Sequence, residues 1–391
     1  MIQFDCTCER GSHRAPLEGY EISRGALEKL PALLKDYHRI FVVADKNTDA
    51  AAGKRVCEIL AGAGMLSHSY IVPGDVVLPD ARTVGAILMH VHNPDAKSDM
   101  FRYSPLPDFI LAVGSGTIND SCRLVSYRLG LPYGVVGTAP SMDGYVSGGS
   151  PMLHDGTKST IQCTTPKFFI ADTEIAAGAP YDMLLAGVGD MFGKYTGLLD
   201  WELARDYTGE YFCEKIAADV LAATDKCLEN GYRLAKRDPD CIAAVMEGFL
   251  VTGLGMAYTG NSRPASGSEH IIAHAWELAD VKAGNKPNLH GLEVCEATRL
   301  VAILYEMLYE ESDDERLKAL IARYLPYFAR VEEFCKRMNV PAPVTSQEKI
   351  LDGIHAALTL RDRYTVLFYL RDRGLFESYA ERASQKLVSI L

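Results

Sequence analysis

The feature that most restricts how this chain folds is a change of periodicity near residue 178. Upstream, short β-rich runs alternate with helical patterns: Arg39 to Ala44, a helix around 50 to 63, Ser69 to Val72, a helix around 80 to 93, Asp108 to Val113, a helix around 119 to 129, and Tyr133 to Val136. Strands separated by helices in this way build a parallel sheet covered on both faces. Downstream the strand signal fades, and residues 209–230, 238–259, 289–310 and 314–337 carry apolar side chains at helical spacing. The pattern predicts an α/β domain over 1–178 and an all-helical domain over 179–391. A length of 391 residues also exceeds what one hydrophobic core usually supports.

Charge excludes some functions before any motif is read. A net charge of -11 argues against a grip on nucleic acid or on an anionic membrane, but leaves room for a local basic pocket that takes a small anion. No stretch offers about twenty uninterrupted apolar residues, and Met1-Ile2-Gln3-Phe4-Asp5 lacks the basic start and apolar run of a secretory signal, so the expectation is a cytoplasmic protein with no membrane insertion. The ten cysteines are scattered singly apart from Cys6-Thr7-Cys8. With no CxxC pair, the expected state is reduced, mostly buried thiol and no zinc ribbon, a metal at Cys6 and Cys8 being the minor reading.

Two loops follow predicted strands. Val113 runs into Gly114-Ser115-Gly116-Thr117-Ile118-Asn119-Asp120, where glycines allow close approach of a ligand and the free amides of a helix start attract phosphate oxygens. This is the phosphate-binding turn expected of a Rossmann-like domain, although its spacing is not GxGxxG and an ordinary strand-to-helix connection reads the same way. Asp45, at the end of an earlier strand, is placed either to accept ribose hydroxyls or to cap the next helix. The second loop, Gly137 to Ser150, is dense in hydroxyls and stiffened by Pro140. Thr138, Ser141 and Ser147 are candidates to bond a cofactor and Asp143 to bind a substrate hydroxyl, against the reading of a plain Ser/Asp turn.

In the second half, Ser262 to His274 opens a helix and sets His270 and His274 one turn apart on a single face. His290 follows sixteen residues later, again where a helical pattern begins, and Asp190 lies in Gly189-Asp190-Met191-Phe192-Gly193-Lys194-Tyr195-Thr196. A histidine pair alone more often packs or caps than binds metal; a third histidine and an aspartate tip the reading toward a metal.

Taken in order, Gly114 to Asp120, Thr138-Ala139-Pro140-Ser141-Met142-Asp143-Gly144, Gly189 to Thr196 and Ser262 to His270 resemble the sn-glycerol-1-phosphate dehydrogenases, their bacterial branch more closely. These belong with the iron-containing alcohol dehydrogenases, glycerol dehydrogenases and dehydroquinate synthases, and a tail with Arg361-Asp362-Arg363-Tyr364-Thr365 extends the likeness over nearly the whole chain. The resemblance implies a dehydroquinate synthase-like fold and hydride transfer between NAD or NADP and a small phosphorylated ketone or polyol, dihydroxyacetone phosphate and sn-glycerol 1-phosphate. It implies Asp190, His270 and His290 as ligands of one divalent metal, and His274, Asp143 and Asp190 as substrate contacts. Gly116 to Asp120, with Thr138, Ser141 and Ser147, would hold the nucleotide, next to Gly114 and Ser115 of the same turn. An Asp/His/His set suits zinc, nickel or ferrous iron, with zinc or nickel ranked first. Lys194, one turn beyond Asp190, is the candidate for the substrate phosphate, with Arg263 behind it; a surface lysine is the alternative. A homodimer is the expected assembly. The competing functions are a glycerol or other polyol dehydrogenase, a dehydroquinate synthase, and a protein that keeps the fold and binds metal or nucleotide without catalysis.

Overall fold

In the computed structural model, which describes residues 1–92 and 106–391, the apolar runs of the first half become the middle of a six-stranded sheet. The chain opens with an antiparallel hairpin, β1 (Ile2–Asp5) and β2 (Ser12–Ala15). The sheet then takes β3 (Gly19–Ser23), β4 (Ile40–Asp45), β5 (Leu66–Val72), β6 (Phe109–Gly114), β7 (Tyr133–Gly137) and β10 (Phe168–Asp172). Between β7 and β10 a second hairpin, β8 (Gly149–His154) with β9 (Thr157–Gln162), stands apart from the sheet.

The strand order is β3-β10-β7-β6-β4-β5, and every neighbouring pair is parallel. Strands buried on both faces need continuous apolar sequence, which is why β6 and β7 are buried throughout and β4 is buried up to Asp45. The edge strand β5, Leu-Ser-His-Ser-Tyr-Ile-Val, is mostly half-buried. Helices α1 (Lys54–Gly62), α2 (Ala81–Met89) and α3 (Gly116–Leu129) make the crossovers. Residue 93, the far end of the helix expected around 80 to 93, lies outside the described residues. The order reverses between β4 and β6, since β5 lies beyond β4 on one side while β6 lies on the other. The carboxyl ends of β4 and β6 therefore flank the crevice where ligands of open α/β sheets bind.

From Tyr181 onward the described chain is helical: α4 (Tyr181–Thr208), α5 (Glu214–Gly231), α6 (Pro239–Thr259), α7 (Ser268–Lys282), α8 (His290–Glu311), α9 (Glu315–Ala322), α10 (Leu325–Met338), α11 (Gln347–Leu360), α12 (Val366–Asp372) and α13 (Phe376–Ile390). The helical run expected over 314–337 is two helices, with Pro326 in the first turn of the second. Helix α4 is the axis of this half and is buried at every position from Leu184 to Ala204. Helix α6 is long and apolar enough to cross a membrane by length and composition, but its sequence carries Asp240 and Glu247, and its buried positions pack inside the protein.

Two features escaped the periodicity argument. The hairpin β1/β2 lies against the helical half: Phe4 meets His13 and Tyr258 ring to ring, and Arg10 donates to the carbonyl of Thr259 at the end of α6. Helix α4 owes its neighbours to glycine. A Cβ on Gly187 would lie 1.8 Å from the Pro140 carbonyl oxygen, and one on Gly189 would lie 2.5 Å from that of Gly291. These glycines let the hydroxyl-rich loop after β7 and the start of α8 close directly onto the helix that carries Asp190.

Candidate metal and nucleotide site

Asp190 from the middle of α4, His270 from the first turn of α7 and His290 at the first position of α8 converge, one ligand atom from each lying within 4.8 Å of the others. His270 Nε2 is 3.2 Å from Asp190 Oδ1, and the His270 and His290 rings are 5.5 Å apart. Both imidazoles are braced from behind. The Nδ1 of His270 is 2.7 Å from Glu269 Oε1, and the Nδ1 of His290 is 2.7 Å from Glu277 Oε1. A carboxylate on Nδ1 fixes the ring and its tautomer and leaves Nε2 as the electron-pair donor, as metal-binding histidines require.

Asp190 is fully buried, and burial opposes its charge. The adjacent Lys194 ammonium and the bond to His270 outweigh that penalty and hold the carboxyl well below its ordinary range. Burial and Lys158 hold His274 well below the usual imidazole range, so it stands neutral, stacked on His290 with 5.3 Å between centroids. Burial pushes Glu277 up, but the ion pair with Lys158 and the proximity of His290 take it well below the usual carboxylate range. The carboxylates of Asp143, Asp190, Glu269 and Glu277 thus gather around Lys158 and Lys194 in a mostly buried space. An oxygen donor and two oriented nitrogens fit one borderline divalent cation.

The loop after β7 reaches the same point. The backbone N–H of Asp143 donates to Asp190 Oδ2 at 2.8 Å, while its carboxylate lies 2.8 Å from Lys194 Nζ. At the other end of this loop, Ser141 Oγ is 2.5 Å from Ser115 Oγ, which stands at the N-cap of α3. Gly116, Thr117 and Ile118 form the first turn of that helix, where backbone amides have no partner within the helix. Gly114 is obligatory because a Cβ there would lie 2.8 Å from the Cβ of Ile118.

Other expected nucleotide contacts turn inward. Asn119 bonds the Gly144 carbonyl, and Ser147 bonds those of Gly144 and Gly149. Asp120 pairs with Arg123, which also donates to the carbonyls of Gly144, Tyr145 and Gly149 and ties the whole loop to α3. Thr138 is almost fully buried, and its N–H donates to the Gly114 carbonyl. Asp45 caps the turn that follows β4, its Oδ1 accepting from the amides of Asn47 and Thr48.

Lys194 is not a surface residue. It is fully buried, donates to the Asp190 carbonyl and Asp190 Oδ1, and forms an ion pair with the Asp143 carboxylate at 2.8 Å. Arg263 is likewise taken, by Glu210 and by the Tyr364 carbonyl. Arg361, in the tail, has no carboxylate partner among the described residues, donates to Thr160 Oγ1, and stands close enough to His274 to depress it. Arg363 beside it is lowered to about 9 by burial and by Arg263 and Arg361, and donates to the Ser266 carbonyl and Ser262 Oγ. Sequence reasoning also missed the bracing acids, although Glu277 follows His274 by three residues and so shares its helix face.

Residues 21–180 match the family model of iron-containing alcohol dehydrogenases. The chain is 33% identical to the glycerol-1-phosphate dehydrogenase of Bacillus licheniformis over 95% of this chain and 92% of that one. It is 30% identical to the one of Methanosarcina mazei over 93% of each. Among solved structures, maleylacetate reductase from Agrobacterium tumefaciens superposes with a TM-score of 0.70 at 14% identity, covering 97% of this chain and 98% of that one. A probable glycerol dehydrogenase from Sinorhizobium meliloti does so at 0.68 and 18%, covering 95% and 97%. These last two share the fold. With relatives this similar end to end, the chain belongs to the glycerol-1-phosphate dehydrogenases.

Proposed function

We propose that this protein interconverts dihydroxyacetone phosphate and sn-glycerol 1-phosphate with NAD or NADP, using one divalent cation held by Asp190, His270 and His290. The observation that carries the reading is the double attachment of Asp143, amide to Asp190 and carboxylate to Lys194, which makes the nucleotide loop and the ligand set one rigid unit. When bound, the cation supplies Lewis acidity toward the carbonyl oxygen and the nicotinamide supplies the hydride. Glu269 and Glu277 orient the two imidazoles, and Lys194 holds Asp190 and Asp143 in register. His274, kept neutral, lines the substrate side and stands in the proton path together with hydroxyls of the loop. Zinc or nickel suits the donors, as does ferrous iron.

Arg361, with Arg363 behind it, is preferred to Lys194 as the group that receives the substrate phosphate, because it is the cation beside His274 that no carboxylate neutralises among the described residues. The test compares phosphorylated with free dihydroxyacetone, using chelated and metal-restored enzyme. The expected result is metal-dependent reduction of the phosphorylated ketone, with Arg361→Ala raising its KM roughly 10- to 100-fold, the worth of a charge-assisted hydrogen bond. Preferential turnover of free dihydroxyacetone or glycerol would make the protein a polyol dehydrogenase and end the proposal.

A further inference from the structure

Outside the Asp/His/His set, at the seam between the N-terminal hairpin and the helical half, four more potential ligands converge. Strand β1 places Ile2 and Phe4 on its inner face, and the alternation continues past its end, so Cys6 and Cys8 point the same way. His13 on β2 sits opposite Phe4 and is buried beside them. Cys213, fully buried, comes from the N-cap of α5. Cys6 Sγ lies 3.7 Å from Cys213 Sγ; His13 Nε2 lies 3.3 Å from Cys8 Sγ and 3.6 Å from Cys213 Sγ. One ligand atom from each residue lies within 4.8 Å of all the others.

These separations are those of a coordination tetrahedron. Bonds of about 2.3 Å to sulfur and about 2.0 Å to nitrogen put sulfurs about 3.8 Å apart, and sulfur and nitrogen about 3.5 Å apart. The alternatives are weaker. At 3.7 Å the two sulfurs are not bonded, and a sulfur-to-imidazole hydrogen bond does not call for three thiols around one ring. His13 Nδ1 is buried without a hydrogen-bond partner, so the polar neighbours of this imidazole are the sulfurs at Nε2.

We infer that Cys6, Cys8, His13 and Cys213 form a second metal site, a closed Cys3His centre for zinc, separate from the Asp/His/His set. Binding displaces three thiol protons and leaves a complex of charge minus one. Arg10 lies nearby, its guanidinium 3.9 Å above the ring of Tyr211, whose hydroxyl is 3.4 Å from Cys8 Sγ. With four protein ligands there is no open position for substrate, so the role is structural. The centre ties the hairpin, too small to hold itself together, to the segment after α4. That segment includes Glu210, which anchors Arg263 ahead of the helix of His270.

The test is a metal count on full-length protein purified under reducing conditions, loaded with zinc and desalted, alongside cobalt substitution. Wild type is expected to hold two equivalents per chain and His270→Ala one. Cobalt-loaded His270→Ala should show a thiolate-to-metal charge-transfer band, which an oxygen and nitrogen site cannot produce. Cys6→Ser should lose that band and several degrees of Tm while keeping the other equivalent and most of kcat. A His270→Ala protein that binds no metal and shows no thiolate band would overturn the inference. So would a Cys6–Cys213 disulfide in the isolated wild type, read as an intact mass lower by two hydrogens. Both readouts use proteins with all four proposed ligands intact, so they do not depend on how Cys6→Ser folds.

Discussion

The crevice and the hairpin seam gather their proposed cation ligands from distant parts of the chain by opposite means. In the crevice the proposed ligands are one carboxylate and two imidazoles, each held by a second charged group: Lys194 behind Asp190, Glu269 behind His270, Glu277 behind His290. At the seam three sulfurs and a histidine face each other, with Tyr211 and Arg10 as the polar surroundings. Three ligands leave positions for a substrate, and four close the sphere. The elaborate bracing of the crevice follows from its openness, because an ion that must also accept a reacting oxygen needs its remaining ligands held in place without that oxygen.

The sharpest break of this comparison is His270→Ala. Losing an oriented ligand removes the charge stabilisation that hydride transfer needs, several kcal/mol, so kcat should fall roughly a thousand-fold or more, while Tm moves little. A kcat reduced less than tenfold would show that the crevice is not where the chemistry occurs. Next in size is Gly187→Ala, which drives a methyl group into the Pro140 carbonyl. Backbone on both sides leaves little room to yield, and the expected loss is about 3 kcal/mol of stability, seen in denaturant unfolding, together with activity. An unchanged unfolding midpoint would mean that the loop after β7 does not need its contact with α4.

The architecture was legible because both periodicities are strong in this sequence. The buried runs of β4 and β6 and the long helices of the second half match their expected places within a few residues. The hairpin at the start of the chain was not, since β1 and β2 have four residues each and only Ile2 and Phe4 mark the inner face of β1. The two-sulfur spacing of Cys6-Thr7-Cys8 was visible, but Cys213 lies two hundred residues away and no local pattern joins them. Histidines at one-turn spacing pointed to the place where Asp190, His270 and His290 converge; their bracing acids were hidden because glutamate on a helix is ordinary until its neighbours are known. Lys194 shows the converse: its place one turn from Asp190 was legible, but its burial between the Asp143 and Asp190 carboxylates depends on the loop after β7, which no local pattern joins to α4.

A smaller effect separates the brace from the ligand. Glu277→Gln keeps a hydrogen-bond acceptor for His290 Nδ1 but loses the charge and the ion pair with Lys158. The expected outcome is a 10- to 100-fold weaker metal affinity by competition with a chelator, with kcat of the metal-saturated enzyme changed far less. Equal loss in both would make Glu277 itself a ligand, in company with His274 and His290, with which it also forms a close group.

The finest distinction runs along α8 itself, where His290 begins the helix and Glu293 and Glu296 follow on the next turns. Glu277 is paired with a cation and lies below its ordinary range; Glu293 and Glu296 are not, and burial pushes them up to about 8 and about 7. A carboxyl raised from 4.5 to about 7 holds its proton in the folded state while the unfolded chain has released it. Stability is then fully present below about pH 4.5, declines as pH rises toward 7 and levels off above it, at no more than about 1.4 kcal/mol per pH unit for one proton. Glu296→Gln removes that titration. Wild type should lose Tm relative to the variant between pH 5 and 7, the gap remaining constant above that, with Gln still accepting from the Val344 amide as Glu296 does. If the two proteins lose stability in parallel across this window, the Glu296 carboxyl is ionised in the folded protein, and a cation reaches this turn of α8 as Lys158 reaches Glu277.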